Sequence, residues 1–354
     1  MKKVGILTFH FSDNYGAVLQ CFALRKVINK MVDCEAEIIN YNPGKKPGWY
    51  TETDIQEMFQ KKLKAFADFN REINEIHGDE FDTISEELAN DKDIFIVGSD
   101  QVWNVSFNFF RETYFLNFTN KIKASYAASI GLPVERIGEK KALFERYLNQ
   151  FDYISVREKS HLKFVEECAH KKASYVLDPT LLLKREDYDE IAITDELSQK
   201  DDYILFYYLK HDDRLPNACS FVNMVARKYN LRIYHFCVDM PHQIFKNPNE
   251  SFYFEGPREF LALVRGAKIV ITNSFHGTVF SLIYHKPFYT FVVDSMRARV
   301  VDLIEEVGLT NRLVEDYMEI DRVNMDIDFE KVDEKLKKMK DESMAYLYSV
   351  LNGV

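Results

Sequence analysis

Residues 268–293, KIVITNSFHGTVFSLIYHKPFYTFVV, decide the fold class of this chain. Ile269–Ile271 is a β-branched run typical of a buried parallel strand, and Thr278–Ile283 is an apolar run that predicts a buried helix. A short polar loop between them carries His276, so the stretch is predicted to form strand, loop, helix and strand. In open α/β sheets such loops lie at the carboxyl ends of the strands, where ligands bind.

The loop around His276 has the features of an anion site. The first amide groups of a helix have no partners within the helix, and its amino end carries partial positive charge. Phosphates and carboxylates bind at such ends. The small residues Ser274 and Gly277 bracket the loop, a geometry that places His276 at the mouth of a cleft. The structural alternative is that His276 caps the helix or forms a hydrogen bond in the core.

The same alternation of strand and helix extends outward along the chain. Val4–Phe9 and Glu37–Tyr41 are predicted strands on either side of a helix at Ala17–Met31. A polar passage at Lys184–Asp202 precedes a new strand at Tyr203–Tyr208, and 354 residues exceed one ordinary core. We therefore predict an α/β protein with two Rossmann-like domains facing a cleft. The predicted boundaries are 1–190 for the first domain, 200–312 for the second and 313–354 for a helical segment.

Composition and charge exclude several classes of function. Hydrophobic residues make up 46% of the chain and charged residues 29%, as in a folded protein with a large core. A formal net charge of −10 argues against binding to nucleic acid. No stretch approaches the roughly 20 apolar residues that span a bilayer, so membrane contact is at most peripheral. The five cysteines are scattered, which favours the reducing cytoplasm.

Three polar clusters follow predicted strands, and in two facing domains such strand ends can converge on one cleft. Taken singly, each also has a structural interpretation, because Gly16 can start a helix, Asp100 can cap one and Asn14 can form an Asx turn. The candidate binding residues are Asn14, Tyr15, Gly16 and Gln20 in the first cluster, Ser99 and Asp100 in the second, and Asn273, Ser274 and Gly277 in the third.

Arginines near these clusters are candidates for binding an anionic ligand. Arg157 follows an apolar strand and could reach a carboxylate or phosphate, or instead pair with Glu158 or Asp152. Arg297 and Arg299 follow the strand that ends at Val293, where they could face the site or lie on a solvated helix. We interpret Asp178, before Pro179, as a turn former.

Several motifs are absent from the sequence. It has no GxGxxG, GxxxxGK[ST], HExxH or GxSxG, which gives no support to dinucleotide binding, P-loop hydrolysis, zinc proteolysis or α/β-hydrolase chemistry. The histidines and cysteines show no metal-ligand spacing, so we predict that the chemistry requires no metal and no cofactor.

With the clusters taken in order, the chain resembles the polysaccharide pyruvyl transferase family. The resemblance covers nearly the whole length up to about Arg312, and six motifs in register are more specific than any one alone. The motifs are GILTFHFSDNYGAVLQ (5–20), GSDQVWN (98–104), SYAAS (125–129), FDYISVRE (151–158), VLDPTLL (176–182) and TNSFHGTVFSLIYHKPF (272–288).

The resemblance implies a fold similar to GT-B glycosyltransferases, with an acceptor side in the first domain and a donor side in the second. It implies that the segment at 313–354 packs back on the first domain. The implied reaction transfers the enolpyruvyl part of phosphoenolpyruvate to two hydroxyls of a sugar in a surface-polysaccharide precursor. A pyruvate ketal forms and phosphate leaves. The implied partners are phosphoenolpyruvate, as donor substrate, and a glycan or lipid-linked sugar, and the implied location is the cytoplasm at the inner face of the membrane.

The resemblance also assigns roles to residues. His276 matches a family histidine proposed to protonate the donor, and Asp100 matches an acidic position near the reacting centre. Arg157 matches an arginine thought to hold the donor, and the helix that contains Gly277 could add its amides. We also include Thr278 and Arg297 among the expected binding residues.

One position departs from the family pattern. Better-studied members carry an arginine two residues before the histidine, where this chain has Ser274. The donor's charge would then need Arg297, Arg299 or Lys286 as a replacement partner. Two alternatives therefore stay open: a GT-B glycosyltransferase that uses a nucleotide sugar, and a noncatalytic glycan-binding or scaffold protein of the same fold.

Overall fold

The computed structural model describes residues 1–31, 33–44, 53–193, 202–209, 214–237, 255–293, 297–315 and 320–353. The chain divides into two compact units, and both are α/β structures with parallel sheets. Unit 1 comprises Met1–Glu52, Phe66–Leu183 and Leu336–Val354, and unit 2 comprises Thr53–Ala65 and Lys184–Lys335.

Unit 1 is built on a four-stranded parallel sheet with the order β2-β1-β3-β4. A two-stranded parallel sheet, β5-β6, continues beside β4 through isolated bridges. The strands are β1 Lys2–Leu7, β2 Cys34–Ile38, β3 Ile94–Val97, β4 Ile122–Ser125, β5 Ser155–Val156 and β6 Ser174–Tyr175. The helices that lie wholly in this unit are α1 Tyr15–Asn29, α3 Glu86–Asp91, α4 Lys141–Leu148 and α5 Leu162–Ala169.

Unit 2 is built on a five-stranded parallel sheet with the order β11-β10-β9-β7-β8. All six residues of β7 and all four of β9 are buried, as expected for strands covered on both faces. The strands are β7 Tyr203–Tyr208, β8 Arg232–Cys237, β9 Ile269–Thr272, β10 Phe288–Phe291 and β11 Leu313–Val314. Its helices are α6 Arg185–Asp189, α7 Leu215–Tyr229, α8 Pro257–Gly266, α9 Phe275–Ile283 and α10 Arg297–Val307.

Two long helices contribute residues to both units. The helix α2, Thr53–Glu72, belongs to unit 2 up to Ala65, and α11, Phe329–Asn352, belongs to unit 1 from Leu336 onward. In unit 1 the Ser343 hydroxyl accepts a hydrogen bond from the Leu177 amide at 2.9 Å. These assignments differ from the predicted boundaries, because residues 53–65 and 313–335 contact unit 2.

The strand β4 ends at Ser125. Beyond that point the backbone turns, because Ala127 has a positive φ of 51°. The Ser125 hydroxyl donates to the Ser155 carbonyl at 2.9 Å, and the Ser155 hydroxyl accepts from the Ala127 amide at 3.1 Å. These side-chain hydrogen bonds replace the backbone hydrogen bonds of a regular strand. They direct the segment toward the polar residues that follow β3 and β5. In the described ranges, no helix has the length and hydropathy needed to cross a membrane.

Candidate active site

A buried polar cluster lies at the carboxyl ends of the unit 1 strands. Arg157 follows β5, Ser99 and Asp100 follow β3, and Asp178 follows β6 by three residues. The Arg157 Nη1 donates to Asp178 Oδ2 at 2.8 Å and to Ser99 Oγ at 3.2 Å. Its Nη2 lies 3.9 Å from Asp100 Oδ1, and its Nε lies 3.6 Å from Glu158 Oε1. One cation therefore contacts three carboxylates.

Asp178 anchors this cluster in addition to forming the turn that the sequence predicts. Its Oδ1 accepts hydrogen bonds from the Thr180 amide at 3.0 Å and from the Thr180 hydroxyl at 2.6 Å. Its Oδ2 accepts from Ser99 Oγ at 2.8 Å as well as from Arg157. Because these donors come from three segments of chain, Asp178 fixes the position of the guanidinium relative to the end of β3.

Glu158 is a second buried anchor. Its Oε1 accepts from Ser129 Oγ at 2.5 Å, and its Oε2 lies 3.2 Å from His161 Nδ1. Burial opposes ionisation of Glu158, but the hydrogen bond from His161 and the charge of Arg157 outweigh it and lower the pKa of this carboxyl. Burial likewise opposes the charge of Arg157, yet the neighbouring carboxylates raise the pKa of the guanidinium. Glu158 and Arg157 are therefore both charged at neutral pH.

Asp100 is the member of the cluster that reaches the surface. Its side chain is 14% exposed, whereas that of Arg157 is 2% exposed. The backbone of Asp100 has a φ of 80°, a left-handed conformation that aspartate adopts more readily than most residues. Its Oδ1 accepts from the Gln101 amide at 2.7 Å. The Asp100 carboxylate is therefore the partly exposed end of an otherwise buried cluster.

The turn between β9 and α9 is held by its own side chains. The Thr272 hydroxyl donates to the Tyr207 carbonyl at 2.6 Å and accepts from the Ser274 amide at 2.9 Å. Ser274 is the N-cap of α9, because its Oγ accepts from the Gly277 amide at 3.2 Å. Ser274, which stands where the family pattern has an arginine, therefore caps the helix that carries His276.

Gly277 allows α9 to begin close to the sheet. A Cβ at this position would lie 2.5 Å from Thr272 Oγ1 and 2.8 Å from Tyr207 Cδ1, which are both shorter than van der Waals contact. The same Thr272 hydroxyl is already engaged in the turn. The helix start is thus fixed against β9 only because position 277 has no side chain.

Asn273 and His276 are the polar side chains of this turn that suit a ligand. Asn273 is fully buried, and its Oδ1 accepts from the Leu209 amide at 2.7 Å. Because Leu209 offers a donor, the orientation of the amide is fixed. In the described part of the chain, Asn273 Nδ2 has no hydrogen-bond acceptor. His276 lies in the first turn of α9, is 7% exposed and packs edge-on against Phe275.

Comparison with known proteins identifies the family. A sequence model described as polysaccharide pyruvyl transferase matches residues 14–295, well over half of the chain. The chain belongs to the polysaccharide pyruvyl transferase family. The resemblance predicted from the six motifs is therefore confirmed. No curated protein sequence matches the chain.

Solved structures show that this family member has a GT-B-like fold, as predicted. UDP-N-acetylglucosamine 2-epimerase from Rickettsia bellii is 11% identical with a TM-score of 0.57, covering 99% of this chain and 96% of that one. UDP-GlcNAc 2-epimerase from Methanocaldococcus jannaschii, in complex with UDP-GlcNAc and UDP, is 16% identical with a TM-score of 0.54 and covers 96% and 93%. The Neisseria meningitidis enzyme bound to UDP-GlcNAc is 10% identical, with a TM-score of 0.54 and coverage of 99% and 100%.

The predicted residues of the first polar cluster have structural roles in α1. Asn14 is its N-cap and accepts from the Ala17 amide at 3.2 Å. The ring of Tyr15 is fully buried against Phe66, and Gly16 is buried in the first turn. Gln20 donates to Thr8 Oγ1 at 2.9 Å, which in turn donates to the Ser99 carbonyl at 2.7 Å. Gln20 therefore reaches the Arg157 cluster through Thr8.

The remaining predicted residues lie in unit 2. The Thr278 hydroxyl donates to the Ser274 carbonyl at 3.0 Å and pairs with Thr290. Arg297 begins α10 and pairs with Glu315 at 2.6 Å, both half-exposed. Lys286 lies beyond the carboxyl end of α9, and the seven residues that follow His276 in this helix alone span roughly 10 Å at 1.5 Å per residue. Lys286 is therefore too distant to replace the missing arginine.

Sequence reasoning missed Glu158, His161 and Ser129 as parts of the site. His161 is buried, and the histidines of the sequence show no spacing that would have singled it out. Glu158 could have been predicted, because it directly follows Arg157 at the end of a predicted strand. In the described ranges, no group of three His, Cys, Asp or Glu side chains is arranged to hold a metal ion.

Proposed function

We propose that the protein transfers the pyruvyl group of phosphoenolpyruvate to two hydroxyls of a sugar in a surface-polysaccharide precursor, forming a pyruvate ketal and releasing phosphate. Membership of the polysaccharide pyruvyl transferase family supports the proposal. The observation that carries it is the β9–α9 turn. At this turn His276 lies in the first turn of α9, which Ser274 caps. His276 follows Asn273, whose buried side-chain amide is a hydrogen-bond donor, by three residues.

In the proposed reaction, His276 donates a proton to the methylene carbon of phosphoenolpyruvate. The adjacent carbon becomes electrophilic, and the oxygen of one sugar hydroxyl bonds to it as Asp100 accepts the hydroxyl proton. The bond between this carbon and the phosphate oxygen then breaks, the second hydroxyl oxygen bonds to the same carbon, and the proton of that hydroxyl leaves with the phosphate. The products are the ketal, which carries a new methyl group, and inorganic phosphate. No redox partner is needed.

For the donor we propose Asn273 and the amino end of α9 as binding groups. Asn273 Nδ2 is a buried donor without an acceptor in the described residues, and a carboxylate or phosphate oxygen would satisfy it. The amino end of α9 favours negative charge. Together they are candidates to compensate for the family arginine whose place Ser274 takes.

For Arg157 we propose a positioning role in place of the donor contact that the resemblance implies. Its guanidinium is 2% exposed and already faces Asp178, Glu158 and Asp100, so an added trianion would meet three carboxylates. We assign Arg157 to hold Asp100 in orientation. An Arg157→Lys variant whose KM for phosphoenolpyruvate rises while kcat stays unchanged would contradict this assignment.

The direct test compares two histidines of unit 2. Phosphate release from phosphoenolpyruvate, measured with a panel of sugars carrying neighbouring hydroxyls, should fall about 100-fold or more in His276→Ala, since a positioned acid contributes that much. The control is His285→Ala, because His285 is half-exposed at the far end of α9 and pairs with Asp333. Equal turnover in the two variants would remove His276 from the reaction.

The similarity of the fold to UDP-GlcNAc 2-epimerases keeps a nucleotide-sugar transferase as the second candidate. Ligands that bind only the folded state raise its melting temperature. Stabilisation by UDP but not by phosphoenolpyruvate would favour this candidate. Binding of glycans without turnover of either donor would favour a noncatalytic role.

We further propose that the reaction takes place in the cytoplasm, at the inner face of the membrane. Cys21, Cys34 and Cys168 are thiols and form no disulfide, which suits a reducing compartment. Burial raises the pKa of Cys21 and of Cys168, so neither is a reactive thiolate at neutral pH.

A further inference from the structure

Four basic residues of unit 2 cluster at the amino ends of β9 and β10, at the opposite end of α9 from His276. The Val270 amide donates to the Pro287 carbonyl at 2.9 Å, and Phe288 pairs with Val270. The residues just before the two strands are therefore neighbours. We call the group the amino-edge cluster; its members are Arg185, Arg265, Lys268 and Lys286.

The amino-edge cluster has more cations than carboxylates. Arg265 Nη1 and Arg185 Nε share the Asp189 carboxylate at 3.1 and 3.4 Å, and Lys268 pairs with Asp202 at 3.5 Å. In the described parts of the chain, Lys286 has no carboxylate within ion-pair distance. Among the described residues, these four cations form ion pairs with only two carboxylates, an excess of two positive charges in a chain whose formal net charge is −10. Such an excess attracts an anion.

Lys286 is partly withdrawn from water. Burial lowers the pKa of its ammonium, and the charges of Arg185, Lys268 and Arg265 lower it further. A charged group held among like charges, and shielded from solvent, gains more from a bound anion than an exposed lysine does. The amino-edge cluster should therefore bind an anion more strongly than a fully solvated group of basic residues would.

Tyr284 adds a buried hydroxyl to this cluster. Its side chain ends α9, is 2% exposed and lies under the Arg185 guanidinium, with 5.7 Å between the guanidinium carbon and the ring centroid. In the described residues the hydroxyl has no hydrogen bond of 3.5 Å or less, and the Asp189 carboxylate interacts with it at longer range. Burial and the nearby Asp189 carboxylate raise the pKa of Tyr284, so the hydroxyl keeps its proton and is available as a donor.

We propose that Lys286, Arg185, Arg265 and the Tyr284 hydroxyl form a second anion site, which binds a phosphate group. A tetrahedral phosphate can accept hydrogen bonds from several directions at once, and guanidinium groups match its oxygens in pairs. A bound phosphate would satisfy the Tyr284 hydroxyl and balance the charge of Lys286. The site is independent of the proposed transferase reaction, since α9 separates it from His276 by its whole length.

The first experiment measures thermal stabilisation by inorganic phosphate at constant ionic strength, with chloride as the reference salt. The Lys286→Gln variant should bind phosphate about tenfold more weakly than wild type, since a hydrogen bond to a charged group is lost. The matched control is Lys337→Gln, which removes the same charge from an exposed position on α11. Phosphate should stabilise an Asn273→Ala variant as much as it stabilises wild type. This result would distinguish the second anion site from phosphate bound near His276.

The Tyr284→Phe variant provides a second test of the site, because it changes no charge and can be used if Lys286→Gln folds poorly. Without phosphate it should be about as stable as wild type, because the hydroxyl that it removes has no hydrogen bond of 3.5 Å or less in the described residues. With phosphate it should gain less stability than wild type. If phosphate stabilises Tyr284→Phe and Lys286→Gln as much as wild type, the second anion site does not exist.

The second experiment identifies the source of the phosphate. Sedimentation with phosphatidylglycerol vesicles, but not with phosphatidylcholine vesicles, that is lost in Lys286→Gln would assign the site to a lipid headgroup. Stabilisation by inorganic phosphate without sedimentation would assign it to a soluble ligand. Equal behaviour of the variant and wild type in both assays would overturn the proposal.

Discussion

The buried carboxylate of Glu158 makes the stability of the folded protein depend on pH. Its pKa is lowered in the folded protein, so its contribution to stability is present above the unfolded pKa near 4.5 and is lost as the pH falls below it. We expect Glu158→Gln to lower the free energy of unfolding by about 3 kcal/mol at pH 7, because it leaves Arg157 and His161 partly uncompensated. This deficit should shrink as the pH approaches 4.

Chemical denaturation at several pH values checks this prediction. The control is Glu145→Gln, since Glu145 is half-exposed on α4 and its pair with Lys141 at 3.6 Å is solvated. The control should change stability by less than about 1 kcal/mol at any pH. A deficit for Glu158→Gln that stays the same from pH 7 to pH 4 would show that the carboxylate charge does not stabilise the cluster.

Single residues also show what a sequence can reveal about this site. Ser274 and Asn14 are N-caps, a role that their residue types and positions before apolar runs make predictable. Asp178 was interpreted as a turn former, and it does cap a turn, but its bond to Ser99 joins positions 79 residues apart. No local pattern encodes such a contact, because it depends on which strands become neighbours.

At the scale of elements, the junction of β9 and α9 controls where His276 lies. Gly277→Ala would place a methyl group 2.5 Å from Thr272 Oγ1, and that hydroxyl is held by bonds to Tyr207 and Ser274. The helix start must therefore move away from the sheet. We expect a loss of about 1–3 kcal/mol in the free energy of unfolding, as in overpacked cores, and a larger proportional loss in turnover.

Ser281→Ala is the matched control for this prediction. Ser281 lies in the same helix, and its hydroxyl donates only to the Gly277 carbonyl one turn earlier, at 2.7 Å. Melting temperatures and turnover should change little in this variant. If Gly277→Ala melts and turns over like wild type, α9 can shift without cost, and the turn does not position His276.

Elements were predicted best where their apolar pattern was local. The strand at Tyr203–Tyr208 has the predicted bounds, since a continuous apolar run defines it. The division of α2 between the units was not predicted, because the periodicity of a helix identifies a buried face but not the unit that covers it.

For the whole molecule, the order of six short motifs was more informative than composition. The family and the GT-B-like fold were both predicted from that order and are confirmed. The net charge of −10 predicts no nucleic-acid partner, yet it conceals the positive amino-edge cluster, because a sum over the chain averages out local excess.

We propose that the protein protonates phosphoenolpyruvate and joins its electrophilic carbon to two sugar oxygens. Proton NMR of the product formed in heavy water tests this reaction directly. We expect a pyruvate ketal whose methyl group carries a single solvent deuterium, because the acid exchanges its proton with solvent before each transfer. A product that keeps the vinyl methylene of the donor, or a ketal methyl group without deuterium, would contradict it.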